Sequence, residues 1–150
     1  MQPLSPSPVP GHSSLLFVYG TLRRGFSRHK FVEAAHACFV ARGTVKGLLL
    51  DLGPFPGAVP STQESDRVIG EVYRLPNPAR ALKLLDSIEA FGPVSPATSL
   101  FRRAPVEVTL ENQSTVEAWV YWLNRWHGPR RRIASGDFAV HHSLFTIPDD

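Results

Sequence analysis

The chain has 150 residues, 43% of them apolar and 19% charged, which suits one domain with a buried core and excludes disorder by composition. Sixteen Lys and Arg against thirteen Asp and Glu leave a net charge of +3, too small by itself to imply nucleic-acid binding. The single cysteine, Cys38, excludes an intramolecular disulfide and a Cys-rich metal site. No apolar run approaches the ~18 residues of a membrane-spanning helix, and no basic segment followed by an apolar stretch opens the chain, so a soluble cytoplasmic protein is expected.

Residues 1–13, with Pro3, Pro6, Pro8 and Pro10 and little to bury, read as a disordered or polyproline II tail. Order is expected from 14 to 150 as one domain. Leu15-Leu16-Phe17-Val18-Tyr19 is a short apolar run suited to a buried strand, and Gly20 to Gly25 breaks it. Ser27 is placed to cap a helix over 29–37. A β-rich stretch over 38–51 follows, interrupted by Gly43 and Gly47, and Gly53-Pro54-Phe55-Pro56-Gly57 is turn chemistry. Val68 to Leu75 is the next strand. Asn77-Pro78 starts a helix over 78–90 whose stripe is Leu82, Leu85 and Ile88, and Gly92, Pro93 and Pro96 end it. Residues 100–110 and 115–123 read as a hairpin around Glu111-Asn112-Gln113-Ser114. Beyond Leu123 come a basic loop, Ser135-Gly136-Asp137-Phe138 and a last short segment. The sum is a strand-rich α+β domain.

Glu89 is the residue that does not fit a solvated surface. At about 100° per residue it follows Leu85 by four and Leu82 by seven, so it projects between two buried leucines. A buried carboxylate is costly unless partnered, and desolvation lifts its pKa toward neutrality, which suits proton transfer. Two plainer readings remain open: a frayed, solvated helix end, or a structural ion pair with Arg102 or Arg103. Asp86, three residues earlier, orients Glu89, caps a neighbouring loop or lies on the helix surface.

The second signal is Tyr19-Gly20-Thr21-Leu22-Arg23. Glycine straight after a buried strand permits a tight turn that leaves successive N–H groups free to hold a carboxylate or a carbonyl oxygen gaining charge. Thr21 adds a hydroxyl, and Arg23 and Arg24 add positive potential. An ordinary strand-ending turn explains the same residues, and no phosphate-loop pattern is present.

Other residues carry less. Arg23, Arg24, Arg28 and Lys30 form one basic stretch and Arg125 with Arg130, Arg131 and Arg132 another. Strand alternation puts Trp119 and Tyr121 on one face as core rather than as a base-stacking platform, so no nucleic-acid partner is expected. His141 and His142 point to opposite faces of a strand and make a poor chelating pair. Cys38 reads as a small core residue, and Asp137 has no assignable chemistry.

The Phe17-to-Gly25 segment, Phe55-Pro56-Gly57, Gly70-Glu71-Val72-Tyr73, Leu85-Asp86-Ser87-Ile88-Glu89 and Arg103 to Val108 together resemble the gamma-glutamylcyclotransferase-like family. Ala118-Trp119-Val120-Tyr121 and Ser135 to Phe138 continue the match in order. The resemblance implies a small mixed β-barrel flanked by helices. It implies that the loop of Tyr19, Gly20, Thr21 and Leu22 holds the glutamyl part of a small gamma-glutamyl substrate, and that Glu89 is the catalytic glutamate. The reaction implied is release of 5-oxoproline by intramolecular acyl transfer, with no metal or organic cofactor and no membrane partner; the oligomeric state is left open. Phe101 stands where many members have tyrosine, and Ala90 where glycine follows the glutamate. The missing hydroxyl keeps a second reading open, a non-catalytic module that binds a glutamyl-like ligand on the same fold.

Overall fold

A computed structural model of the chain describes residues 13–89 and 98–145, with side chains described through 141. The first strand, β1 (Leu15–Val18), is short because Gly20 turns the chain away, and α1 (His29–Ala34) follows. The long β2 (Cys38–Asp51) comes next, then β3 (Pro56–Pro60), β4 (Arg67–Arg74) and α2 (Pro78–Ile88). After the undescribed segment come β5 (Phe101–Leu110), β6 (Thr115–Leu123), the two-residue β7 (Arg131–Arg132) and α3 (Phe138–Phe145). Among the described residues no helix is long and apolar enough to cross a membrane.

Five strands close into a mixed barrel in the order β2-β4-β1-β6-β5, and β5 returns to β2. The pairings are antiparallel except β1 with β6, which run parallel through Leu16 opposite Trp119. Closure leaves no free edge in this ring. The far half of β2 extends beyond it and pairs with β3 and β7. Every barrel strand sends side chains to one cluster, which includes Phe17, Val45, Val72, Val108 and Val120, and this is the barrel interior. The alternate residues of β1, Leu16 and Val18, join Leu82 and Leu85 of α2 in a second cluster. Strand period two on β1 and helical period on α2 thus meet beside the barrel.

Several expectations are corrected here. Gly43 and Gly47 do not interrupt β2; both lie inside it. Gly43 pairs with Leu110 at the closing seam, where a Cβ would come within 2.6 Å of Val108 Cγ1, so the glycine serves close strand approach. The 53–57 turn is shorter than read, because Pro56 and Gly57 begin β3. That strand pairs with β2 alone, an edge position that tolerates proline at both its ends. Ser27 caps nothing: α1 starts from Arg28 without a side-chain cap and stops at Ala34, before His36 at φ 55°. In α2, Asn77 Oδ1 does accept from the Arg80 N–H at 3.3 Å, with Pro78 in the first turn.

The last segment is helical, so His141 is not on a strand; its Nε2 lies 2.9 Å from Asp51 Oδ2. Cys38 is exposed at the start of β2 rather than in the core. Residues 1–12 of the proline-rich tail lie outside the described residues. Ser13 does not belong with a loose tail: it is buried, and its hydroxyl donates to the Glu117 carbonyl at 2.7 Å.

Candidate active site

At the end of β1, the loop Gly20 to Leu22, the C-terminus of α2 and the strands β3, β5 and β6 border one pocket of ≈ 370 Å³, counted with its open mouth. Tyr19, Gly20, Thr21, Leu22 and Glu89 all line it, so the two sites marked in the sequence are one place. Phe101 and Tyr121 form part of the wall, and Arg28 reaches it from the turn before α1.

Glu89 caps α2 and still donates its N–H to the Leu85 carbonyl at 2.9 Å, so the helical projection holds one residue past the helix. It is 8% exposed, which removes the frayed-end reading. Burial pushes its carboxyl up to about 7, against a smaller lowering by the Arg28 charge. Its ion-pair partner is Arg28, at 4.0 Å from Nη1 to Oε2, and neither Arg102 nor Arg103. Arg103 belongs to Asp86, with Nε 2.8 Å from Oδ1. Asp86 Oδ1 also accepts from the Tyr121 hydroxyl at 2.7 Å; burial, and then this bond, raises the phenol pKa and keeps it a donor. Asp86 is therefore buried beneath the pocket wall, holding Tyr121, and is not on the helix surface.

In the loop, the carbonyls are used and the amides are not. Gly20 O accepts from Arg23 N, Thr21 O from Arg28 N, both at 3.0 Å, and Leu22 O lies 2.9 Å from His29 Nδ1. Among the described residues no protein acceptor takes the N–H of Gly20, Thr21 or Leu22. A Cβ on Gly20 would stand 2.7 Å from Pro56 Cγ, so glycine lets β3 close on the loop. Tyr19 is a strut: its hydroxyl donates to the Tyr121 carbonyl at 2.6 Å and accepts from Ala58 N at 3.1 Å. Burial, with the Glu89 charge, raises its pKa and keeps it protonated.

Arg23 and Arg24 do not supply the pocket with positive potential. Arg23 is buried, with Nη1 2.8 Å from Asp137 Oδ1 and Nε 3.8 Å from Glu71 Oε2. Those carboxylates draw it inward, and Arg24 lies over the Phe39 ring at 4.0 Å. Asp137 gains its chemistry here. Burial pushes its carboxyl up, but Arg23 and the amides of Val140 and Ala139 outweigh this and hold it below the usual range. The pocket's cation is Arg28, which the sequence shows only as one member of a basic stretch. Its placement depends on the loop folding back to Thr21, and no periodicity reports that. Among the described residues no group of His, Cys, Asp and Glu is arranged to hold a metal.

The family model described as gamma-glutamyl cyclotransferase, AIG2-like, matches residues 16–140. The gamma-L-glutamyl-butirosin B gamma-glutamyl cyclotransferase of Niallia circulans is 33% identical over 111 residues, covering 73% of this chain and 67% of its own. YkqA from Bacillus subtilis superposes with a TM-score of 0.67 at 26% identity, over 87% of this chain and 41% of YkqA, so the chain spans less than half of that protein. An AIG2-like protein from Mus musculus shares the fold with a TM-score of 0.62 at 24% identity, over 80% of this chain and 86% of its own. With the match running through both the amide loop and the buried glutamate, the chain belongs to the AIG2-like gamma-glutamyl cyclotransferase family of enzymes.

Proposed function

We propose that the protein releases 5-oxoproline from a gamma-glutamyl amine or peptide by intramolecular acyl transfer, with Glu89 moving the protons. The observation that carries this reading is the buried Glu89 carboxylate in one pocket with the unused amides of Gly20 to Leu22. Membership of the family supports the reaction class.

In the reaction the substrate's α-amine attacks its own γ-carbonyl, forming the lactam C–N bond and breaking the bond to the departing amine. The α-amine, with a reference pKa of ~8, must first lose a proton. To an ordinary carboxylate that transfer would be uphill by ~5 kcal/mol; to a carboxylate titrating at about 7 it costs ~1 kcal/mol. Glu89 takes this proton as base and gives it to the leaving nitrogen as acid; it then takes the second proton, shed by the attacking nitrogen as the lactam N–H forms, and passes it to the departing amine, which leaves as an ammonium. The loop amides anchor the glutamyl group or take the developing charge on the γ-carbonyl oxygen, and a single donor of the second kind contributes ~3 kcal/mol. The pocket's shape folds the substrate so that amine and carbonyl meet.

Glu89→Gln keeps the size and removes proton exchange. With a panel of gamma-glutamyl amides and 5-oxoproline read by mass, the variant is expected to lose ~10²–10⁴-fold in kcat/KM while its circular dichroism is unchanged. A fully active variant would overturn the role of Glu89. Thermal stabilisation of the wild type by these amides with no 5-oxoproline formed would instead indicate a glutamyl-binding module.

A further inference from the structure

Glu89 and Arg28 are the only charged side chains lining the pocket among the described residues, one anion and one cation 4.0 Å apart. The glutamyl head group carries the same pair of charges on one carbon, an ammonium and a carboxylate. We propose that Arg28 is the specificity residue that binds the substrate's α-carboxylate while Glu89 faces the α-amine, which leaves the amides of Gly20 to Leu22 to the γ-carbonyl oxygen. This rests on the cyclotransferase reading and decides between the two duties left open for the loop.

Three observations converge on Arg28. Its guanidinium is under-used: it donates one long hydrogen bond, to the Ile88 carbonyl at 3.4 Å, and stays outside hydrogen-bond distance of Glu89. A guanidinium has five donors in a planar fork that fits a carboxylate two-pronged. Its position is fixed from both sides, because its own N–H donates to Thr21 O at 3.0 Å while its side chain reaches the end of α2. It is partly open, with a side-chain exposure of 37% against 10% for Glu89, so a ligand can reach it. Charge balance argues the same way. When Glu89 is ionised to act as base, a second carboxylate in a small pocket repels it unless a cation stands beside both.

The test compares two substrates with the same leaving amine, a gamma-glutamyl amide and the corresponding 4-aminobutyryl amide. The second lacks only the α-carboxylate and closes to 2-pyrrolidinone. The wild type is expected to prefer the glutamyl compound by about 10- to 100-fold in kcat/KM, mostly through KM. In Arg28→Gln this ratio falls below about threefold, whatever loss the two substrates share, and Arg28→Lys restores part of it. A ratio unchanged in Arg28→Gln would overturn the assignment and give the α-carboxylate to the loop amides. If the wild type forms lactam from neither compound, the cyclotransferase reading has failed instead. The assignment is then read from binding, by NMR, of 5-oxoproline against 2-pyrrolidinone. Selectivity that disappears in Arg28→Gln supports it; selectivity that persists, or no binding of 5-oxoproline, overturns it.

Discussion

At the scale of single residues, the site consists of one carboxylate made unusual by its surroundings. Glu89 is buried at a helix end, with a guanidinium too distant for a hydrogen bond, so its neutral form is the one the fold favours. Its folded-state pKa is raised, so its contribution to stability is full below the ordinary 4.5 and is lost as pH rises through about 7. Glu89→Gln, neutral throughout, is therefore expected to match the wild type in stability near 4.5 and to exceed it by up to ~3 kcal/mol above 7. Denaturant midpoints across that range measure the difference, and a constant offset would contradict it. Glu89 was legible in the sequence because helical spacing alone puts a carboxylate between Leu82 and Leu85. Arg28 was not, since nothing in a run of arginines says which one a folded-back loop turns into a pocket. Arg23 shows the converse: it lies next to the right residues in sequence, but two buried carboxylates distant along the chain claim it.

At the scale of elements, the amide loop is held by what lies behind it. Arg23 ties the loop to β4 through Glu71 and to the start of α3 through Asp137, and Glu71 in turn accepts from Arg24 N at 3.0 Å. Removing one member of a buried ion network leaves the others uncompensated, at a cost of ~3–5 kcal/mol. Arg23→Leu is expected to lower Tm by roughly 10 °C, and to raise KM for gamma-glutamyl amides even at temperatures where the variant is folded. A shift below a degree or two would show that the network is not what fixes the loop. Strands, hairpin and α2 were readable from period and capping, because those signals are local. The lost cap at Ser27, the proline-bounded β3 and the helical last segment were not, because each is decided by a partner: the Thr21 carbonyl for Arg28, β2 for β3, Asp51 for His141.

At the scale of the molecule, barrel closure is what puts the site together. The parallel contact of β1 with β6 and the seam of β2 with β5 bring Tyr19, Phe101 and Tyr121 around one end, and α2 delivers Glu89 there. No strand's pattern encodes that closure, although the family resemblance implied it. Gly43→Val would force a branched side chain into the seam within 2.6 Å of Val108 Cγ1 and 3.0 Å of the Thr109 carbonyl. A loss of ~1–3 kcal/mol follows, with faster amide exchange in β5 than in β1, and uniform exchange in both strands would contradict a local seam. The whole assembly makes one acid sheltered enough to exchange protons near neutrality beside the loop amides. The direct measurement is a ¹³C NMR titration of glutamate side-chain carboxyls in wild type and Glu89→Gln, with and without 5-oxoproline. A resonance absent from the variant, titrating near 7 and moved by 5-oxoproline, is the expected result. A Glu89 signal titrating near 4.5 and indifferent to 5-oxoproline would contradict it.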